Sequence, residues 1–150
     1  MKNYNKQYYE THKNEMKESI KANQKYKYDN DFEYNIYKRV MARINQTFPQ
    51  TPYSFEDLLG CSLSFYCDYI KFCLGNNELQ DIDHVIPINN SKDLNCFKWY
   101  NTYPIEASLN RSIKDKSSLE SPIDIKSHYI IVRKFLSHVG IPVDLINCHQ

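Results

Sequence analysis

Residues 80–88 read Gln80-Asp81-Ile82-Asp83-His84-Val85-Ile86-Pro87-Ile88. Ile82, His84, Ile86 and Ile88 alternate with Asp81, Asp83 and Val85, which is the two-residue period of a half-buried strand; Pro87, unable to donate to a ladder, closes it. Adjacent residues of a regular strand point to opposite faces, so Asp83 and His84 share one cleft only where the strand twists or stops. The pattern therefore predicts an end to the strand within a residue or two of His84. Beyond a polar loop at 89–93, a short turn bears Phe97 and Trp99, and Thr102-Tyr103-Pro104 forms a second, brief extended piece. Residues 106–114 read as a helix with Leu109 and Ile113 inward. Strand, loop, short strand and helix, with an acid beside a histidine on the first and an asparagine on the last, can hold one divalent cation next to a general base.

Working outward, residues 1–43 are rich in Lys, Glu, Asn, Gln and Tyr, hold no Pro or Gly, and carry 10 basic and 6 acidic side chains. They read as one or two polar helices broken near Tyr28-Asp29-Asn30-Asp31, serving either as a solvated extension or as an electrostatic arm on a polyanion. From 34 to 48 the pattern becomes amphipathic, ending at Pro49 and Pro52. Ser54 caps a short turn, and Ser62 opens a helix with an apolar face that closes at Gly75. A linker covers 117–124. Residues 125–139 form a last amphipathic helix through Tyr129, Val132 or Arg133, Leu136 and Val139, followed by Gly140 and a hydrophobic tail. The expected architecture is α+β and mostly helical: a basic arm and docking helix over 1–50, then a core domain over 51–150 with a C-terminal helix.

Composition excludes several function classes. The chain has 150 residues and only three glycines, Gly60, Gly75 and Gly140, too dispersed for a phosphate-cradling loop, a dinucleotide fingerprint or a nucleophile elbow. Five cysteines without a CxxC pair argue against a disulfide framework and against structural zinc; Cys61, Cys67 and Cys73, six residues apart, scatter around a helix. No apolar stretch approaches the ~20 residues of a membrane span, so an intracellular protein, neither secreted nor membrane-bound, is expected. Net charge is +1, yet it divides into +4 over residues 1–43, −5 over 44–96 and +2 over 97–150. Basic segments thus flank an acidic middle.

The middle segment resembles the HNH, or ββα-metal (His-Me finger), endonuclease superfamily, most closely its phage and viral recombination endonuclease VII-like members. The resemblance rests on Asp83-His84-Val85-Ile86-Pro87, on Asn101, and on Asn110-Arg111-Ser112, with the specific similarity over 81–116; Asp31-Phe32-Glu33-Tyr34 and Leu58-Leu59-Gly60-Cys61-Ser62 also look like segments that precede the motif. It implies a ββα-metal core, DNA (duplex or branched) as partner, Mg²⁺ or Mn²⁺ or another divalent cation as cofactor, and a phage, viral or mobile-element setting in the host cytoplasm or nucleus. Two departures stand out: Ile113-Lys114 replaces the usual Lys-Gly, so the phosphate-contacting lysine falls to Lys114 or Lys116, and zinc-binding CxxC pairs are absent.

Phosphodiester hydrolysis needs a deprotonated water and a cation to absorb developing charge. His84 is the expected general base, because imidazole titrates near working pH, although its alternation with Ile82 and Ile86 also suits a core histidine. The resemblance implies Asp83 as the anionic ligand and Asn110 as the neutral one, a hard-oxygen set suited to Mg²⁺. It implies that Asn101 braces the loop and holds the histidine; a simple turn residue is the plainer alternative. Glu106 stands one helical turn before Asn110. Arg111, Lys114 and Lys116, with Lys38, Arg39 and Arg43 upstream, are the expected nucleic-acid contacts, and Arg133 and Lys134 weaker ones. Either a single nicking subunit or a homodimer that cuts both strands fits this reading. A DNA-binding module that keeps the fold without cutting, and a helical interaction protein with a fortuitous motif, are its rivals.

Overall fold

In a computed structural model, residues 2–50, 52–86, 88, 93–114 and 124–143 are described. The chain divides into two units, residues 1–38 and 39–150, with the boundary inside one helix. The first unit holds α1 (Lys2–Asn30) and the start of α2 (Phe32–Thr47). α1 is polar around its circumference, with Tyr8, Tyr9, Met16, Ile20 and Tyr26 exposed. It stops at the predicted break, where the Asp31 carboxylate accepts from the Tyr34 N–H at 3.0 Å and so caps α2.

The second unit contains the rest of α2, then α3 (Phe55–Leu59), α4 (Leu63–Leu74), β1 (Asp81–His84), two 3-10 turns (Leu94–Phe97 and Trp99–Asn101), β2 (Thr102–Ile105), α5 (Ala107–Lys114) and α6 (Ile125–His138). The architecture is α+β and mostly helical, with one small sheet. Local chemistry sets the helix ends: Ser54 and Asp57 form a reciprocal capping box at α3, Ser62 caps α4, and Asp124 caps α6. Gly60 follows α3 at φ 73°, the left-handed conformation that ends a helix at little cost only for glycine.

β1 and β2 pair antiparallel, with Asp81 opposite Ile105, Ile82 opposite Pro104, Asp83 opposite Tyr103 and His84 opposite Thr102. β1 is shorter than the nine-residue pattern suggested. It ends at His84, and Val85 and Ile86 bend away, their backbone bonded to Asn101 rather than to a continuing ladder. Two tyrosines of α4 hold β2 from beneath: the Tyr66 hydroxyl pairs with the Thr102 hydroxyl at 2.8 Å, and the Tyr69 hydroxyl donates to the Thr102 carbonyl at 2.7 Å. Around them Phe65, Tyr69, Trp99 and Phe135 pack ring edge to ring face, with centroids 5.0 to 6.0 Å apart. Fully burying rings of this kind contributes roughly 1.5–3 kcal/mol each, and a supported sheet replaces a two-stranded ribbon that alone would be marginal.

Two helix faces differ from expectation. On α5, Leu109 is 46% exposed and Asn110 is 2% exposed, so the polar residue, drawn to a carboxylate on β1, occupies the inner face. On α6, Val132 and Leu136 are buried as expected, joined by His128 and Phe135, whereas Tyr129 is half-buried and Val139, beyond the helix end, is exposed. The linker at 117–123, the tail beyond 143, Pro87 and most of the 89–93 loop lie outside the described residues. Among the described residues no helix is long and apolar enough to cross a membrane.

Candidate functional site

The site begins where α5 crosses β1. The Asn110 amide Nδ2 donates to Asp81 Oδ2, joining the helix to the first residue of the strand. Gln80 secures the same junction: its Oε1 accepts from the Ala107 N–H at 3.1 Å, satisfying one of the free donors of the first turn of α5. Asp81 Oδ1 accepts from the Ile82 N–H and Asp83 Oδ1 from the His84 N–H, both at 2.9 Å. Each carboxylate thus spends one oxygen on the local backbone. Asn110 Oδ1 is buried and has no hydrogen-bond partner among the described residues, an arrangement that costs about 1–3 kcal/mol unless something else satisfies it.

A cavity of about 320 Å³ opens here, lined by Asp81, Asp83, His84 and Asn110 on one side and by Arg39, Arg43 and Gln46 of α2 on the other. All four residues of β1, Asp81, Ile82, Asp83 and His84, line it, and the strand ends at His84. Asp81 lies two residues before Asp83 and shares its strand face.

His84 is 8% exposed, and its ring meets the edge of Phe97 with centroids 5.4 Å apart. Burial, and then the positive charge of Arg43, push its pKa down to about 4. The imidazole is therefore neutral at neutral pH. Asn101, 4% exposed, takes no place in the cavity lining and spends its whole amide on the backbone beyond His84. Its Oδ1 accepts from the Ile86 N–H at 2.9 Å, and its Nδ2 donates to the carbonyls of Ile86 at 3.1 Å and Cys96 at 2.8 Å.

The basic residues separate. Arg39 Nη1 donates to the Gln80 carbonyl at 2.8 Å and Arg43 Nη1 to Gln46 Oε1 at 3.1 Å, so both stand at the cavity on α2. Lys38 belongs to the first unit, its ammonium 5.8 Å from the centre of the Tyr34 ring. The side chains of Arg111 and Lys114, and all of Lys116, lie outside the described residues. Glu106, Arg133 and Lys134 are exposed and do not line the cavity.

The sequence reading missed Asp81. It took Asp83 as the partner of Asn110, whereas the carboxylate that touches Asn110 is Asp81; the available signal was the i, i+2 spacing that puts both acids on one strand face. Two carboxylates and a buried carbonyl oxygen without a donor fit a hard divalent cation. Although Asp81, Asp83 and His84 line one cavity, no three His, Cys, Asp or Glu side chains among the described residues stand close enough together to hold an ion by themselves. A cation here would therefore draw its remaining ligands from Asn110, water or a bound anion.

No known family profile matches the chain. No solved structure matches it either. The sequence is similar to the uncharacterized protein L246 of Acanthamoeba polyphaga mimivirus, at 29% identity over 117 residues covering 69% of this chain and 47% of that protein. The chain thus spans about half the length of the curated relative it matches.

Proposed function

We propose that the chain is a divalent-metal-dependent DNA endonuclease of the HNH type, with β1, β2 and α5 as its ββα-metal core. The observation that carries the reading is the meeting, in one cavity, of a neutral histidine, two carboxylates, an asparagine with an unsatisfied oxygen, and two arginines. Asp81, Asp83 and Asn110 would hold Mg²⁺ or Mn²⁺, which when bound supplies positive charge for the phosphate and the leaving oxygen. Arg39 and Arg43 offer the forked donors that suit a phosphodiester. The similarity to a mimivirus protein supports a viral setting.

His84 acts as general base. Because it is uncharged at neutral pH, it is always ready to accept a proton, and an anionic phosphate beside it raises its proton affinity when substrate arrives. The attacking water gives one proton to an imidazole nitrogen, its oxygen bonds to phosphorus, and the bond to the 3′ oxygen breaks. The products are a 5′-phosphate and, after protonation from solvent, a 3′-hydroxyl. Asn101 takes no part in these transfers; it holds the bend that follows His84 and so fixes where the ring stands. The basic residues of 1–43 add a salt-sensitive grip on the DNA backbone.

The test is incubation of supercoiled plasmid with the protein in Mg²⁺, Mn²⁺ or chelator. Conversion to nicked or linear DNA with metal, and none with chelator, is expected. Intact plasmid in every metal would overturn the proposal.

A further inference from the structure

Two adjacent residues at the start of β1 grip one turn of α5 at two points. Asp81 accepts from the side-chain amide of Asn110, and Gln80 Oε1 accepts from the Ala107 N–H at 3.1 Å, 27 positions away in sequence. The Asn110 N–H in turn donates to the Glu106 carbonyl at 2.9 Å, so the first turn of α5 fixes where Asn110 stands. Glu106, the residue before α5, is not of the types that cap a helix well, and an acceptor for this end comes from Gln80 instead. A helix held by one hydrogen bond can turn about it; a second bond, one turn away, sets its rotation. That rotation decides the direction of Asn110 Oδ1, the buried oxygen with no hydrogen-bond partner among the described residues.

Gln80 itself is exposed and does not line the cavity. Its backbone carbonyl accepts from Arg39 Nη1 at 2.8 Å, a bond that a change of side chain leaves in place. The bond to α5 can therefore be removed without opening the core or releasing Arg39.

We propose that Gln80 is a positioning residue of the cation site: it touches neither ion nor DNA, and acts through α5 by holding Asn110 Oδ1 ready for a cation shared with the β1 carboxylates. The proposal rests on the reading of Asp81, Asp83 and Asn110 as cation ligands, and adds what sets their affinity. A neutral amide oxygen attracts a cation less than a carboxylate does, so it contributes most when it is already in place. A ligand that has to be ordered at each binding event subtracts that cost from the affinity. Outer groups that orient metal ligands are typically worth about 10- to 100-fold in binding.

The test is Mn²⁺ binding to the full chain without DNA, read from the loss of the free-ion electron paramagnetic resonance signal. Wild type is compared with Gln80→Met, Gln80→Glu, Asn110→Ala and the double variant Gln80→Met/Asn110→Ala, each with wild-type circular dichroism. Gln80→Met keeps the length of the side chain but loses the acceptor, and should weaken Mn²⁺ binding roughly tenfold. Gln80→Glu keeps an acceptor for the Ala107 N–H and should bind at least as tightly as wild type. The double variant should bind no more weakly than Asn110→Ala alone, because the residue through which Gln80 acts is gone. Wild-type affinity in Gln80→Met, weakened binding in Gln80→Glu, or a further tenfold loss in the double variant would overturn the proposal. The two readings fail differently: a wild-type chain that binds no Mn²⁺ refutes the cation site and this role with it, whereas Mn²⁺ binding indifferent to Gln80 refutes the positioning role alone.

Discussion

Replacing Asn101 by alanine removes three hydrogen bonds at once and leaves their partners where they are. The Cys96 carbonyl belongs to a residue only 8% exposed, so losing the Asn101 donor strands a buried acceptor, a defect of about 1–3 kcal/mol. Ile86 is 48% exposed, so its N–H and carbonyl recover water and cost less, about 0.5–1.5 kcal/mol together. The expected loss is therefore roughly 2–4 kcal/mol, which with an m-value of about 2 kcal/mol/M moves the urea midpoint by roughly 1–2 M. Asn101→Asp is the sharper variant. It keeps the acceptor for the Ile86 N–H but turns a second oxygen toward two carbonyls, so it should destabilise more than alanine at pH 7 despite being closer in shape. Urea unfolding followed by circular dichroism measures both, and hydrogen exchange at the Ile86 amide reports the bend itself. An alanine variant within about 0.5 kcal/mol of wild type, or an aspartate variant more stable than alanine, would refute the role given to this amide.

Arg43→Gln removes a positive charge that helps hold His84 low, so the His84 pKa should rise, and with it the acid limb of the cleavage pH profile; imidazole NMR titration checks the first and single-turnover rates the second. Stability should also depend on pH through the buried histidines. His84 at about 4, and His128, likewise lowered by burial, stay neutral in the folded chain while the unfolded chain binds protons below about 6.5. Unfolding free energy should therefore rise with pH between about 4 and 6.5, with His84 alone contributing about 3 kcal/mol across the window, and His128→Asn should flatten the slope in urea titrations at stepped pH. Asp81→Asn and Asp83→Asn should each raise the Mn²⁺ concentration for half-maximal cleavage by tenfold or more, on the order expected for loss of one charged ligand; an unchanged requirement in Asp81→Asn would remove that residue from the cation site.

Much of the small sheet was legible because its determinants are local. Alternation around Ile82 and His84, the Thr102-Tyr103-Pro104 piece and the serine caps each act within a few residues. What escaped depends on distance along the chain. Nothing near Arg39 announces that it will bond to the Gln80 carbonyl, 41 residues away, and bring α2 to the cavity. The choice of Asp81 over Asp83 for Asn110 turns on where α5 crosses β1, which a pattern of types cannot supply. Leu109 misled for a related reason: helical periodicity marks an apolar face as inward, but here a buried amide-to-carboxylate bond outcompeted one leucine for the inner position. The cysteines were simpler. Cys67 and Cys96 are buried and Cys61 half-buried, with burial pushing the Cys61 thiol up to about 12, so these are packing groups rather than reactive ones.

The most direct test of the account is the single-turnover cleavage rate of His84→Ala against wild type, both folded by circular dichroism and both saturated with Mn²⁺. Loss of the general base predicts a rate lower by about 10² to 10⁴, partly restored by added imidazole. Equal rates for the two proteins would contradict it.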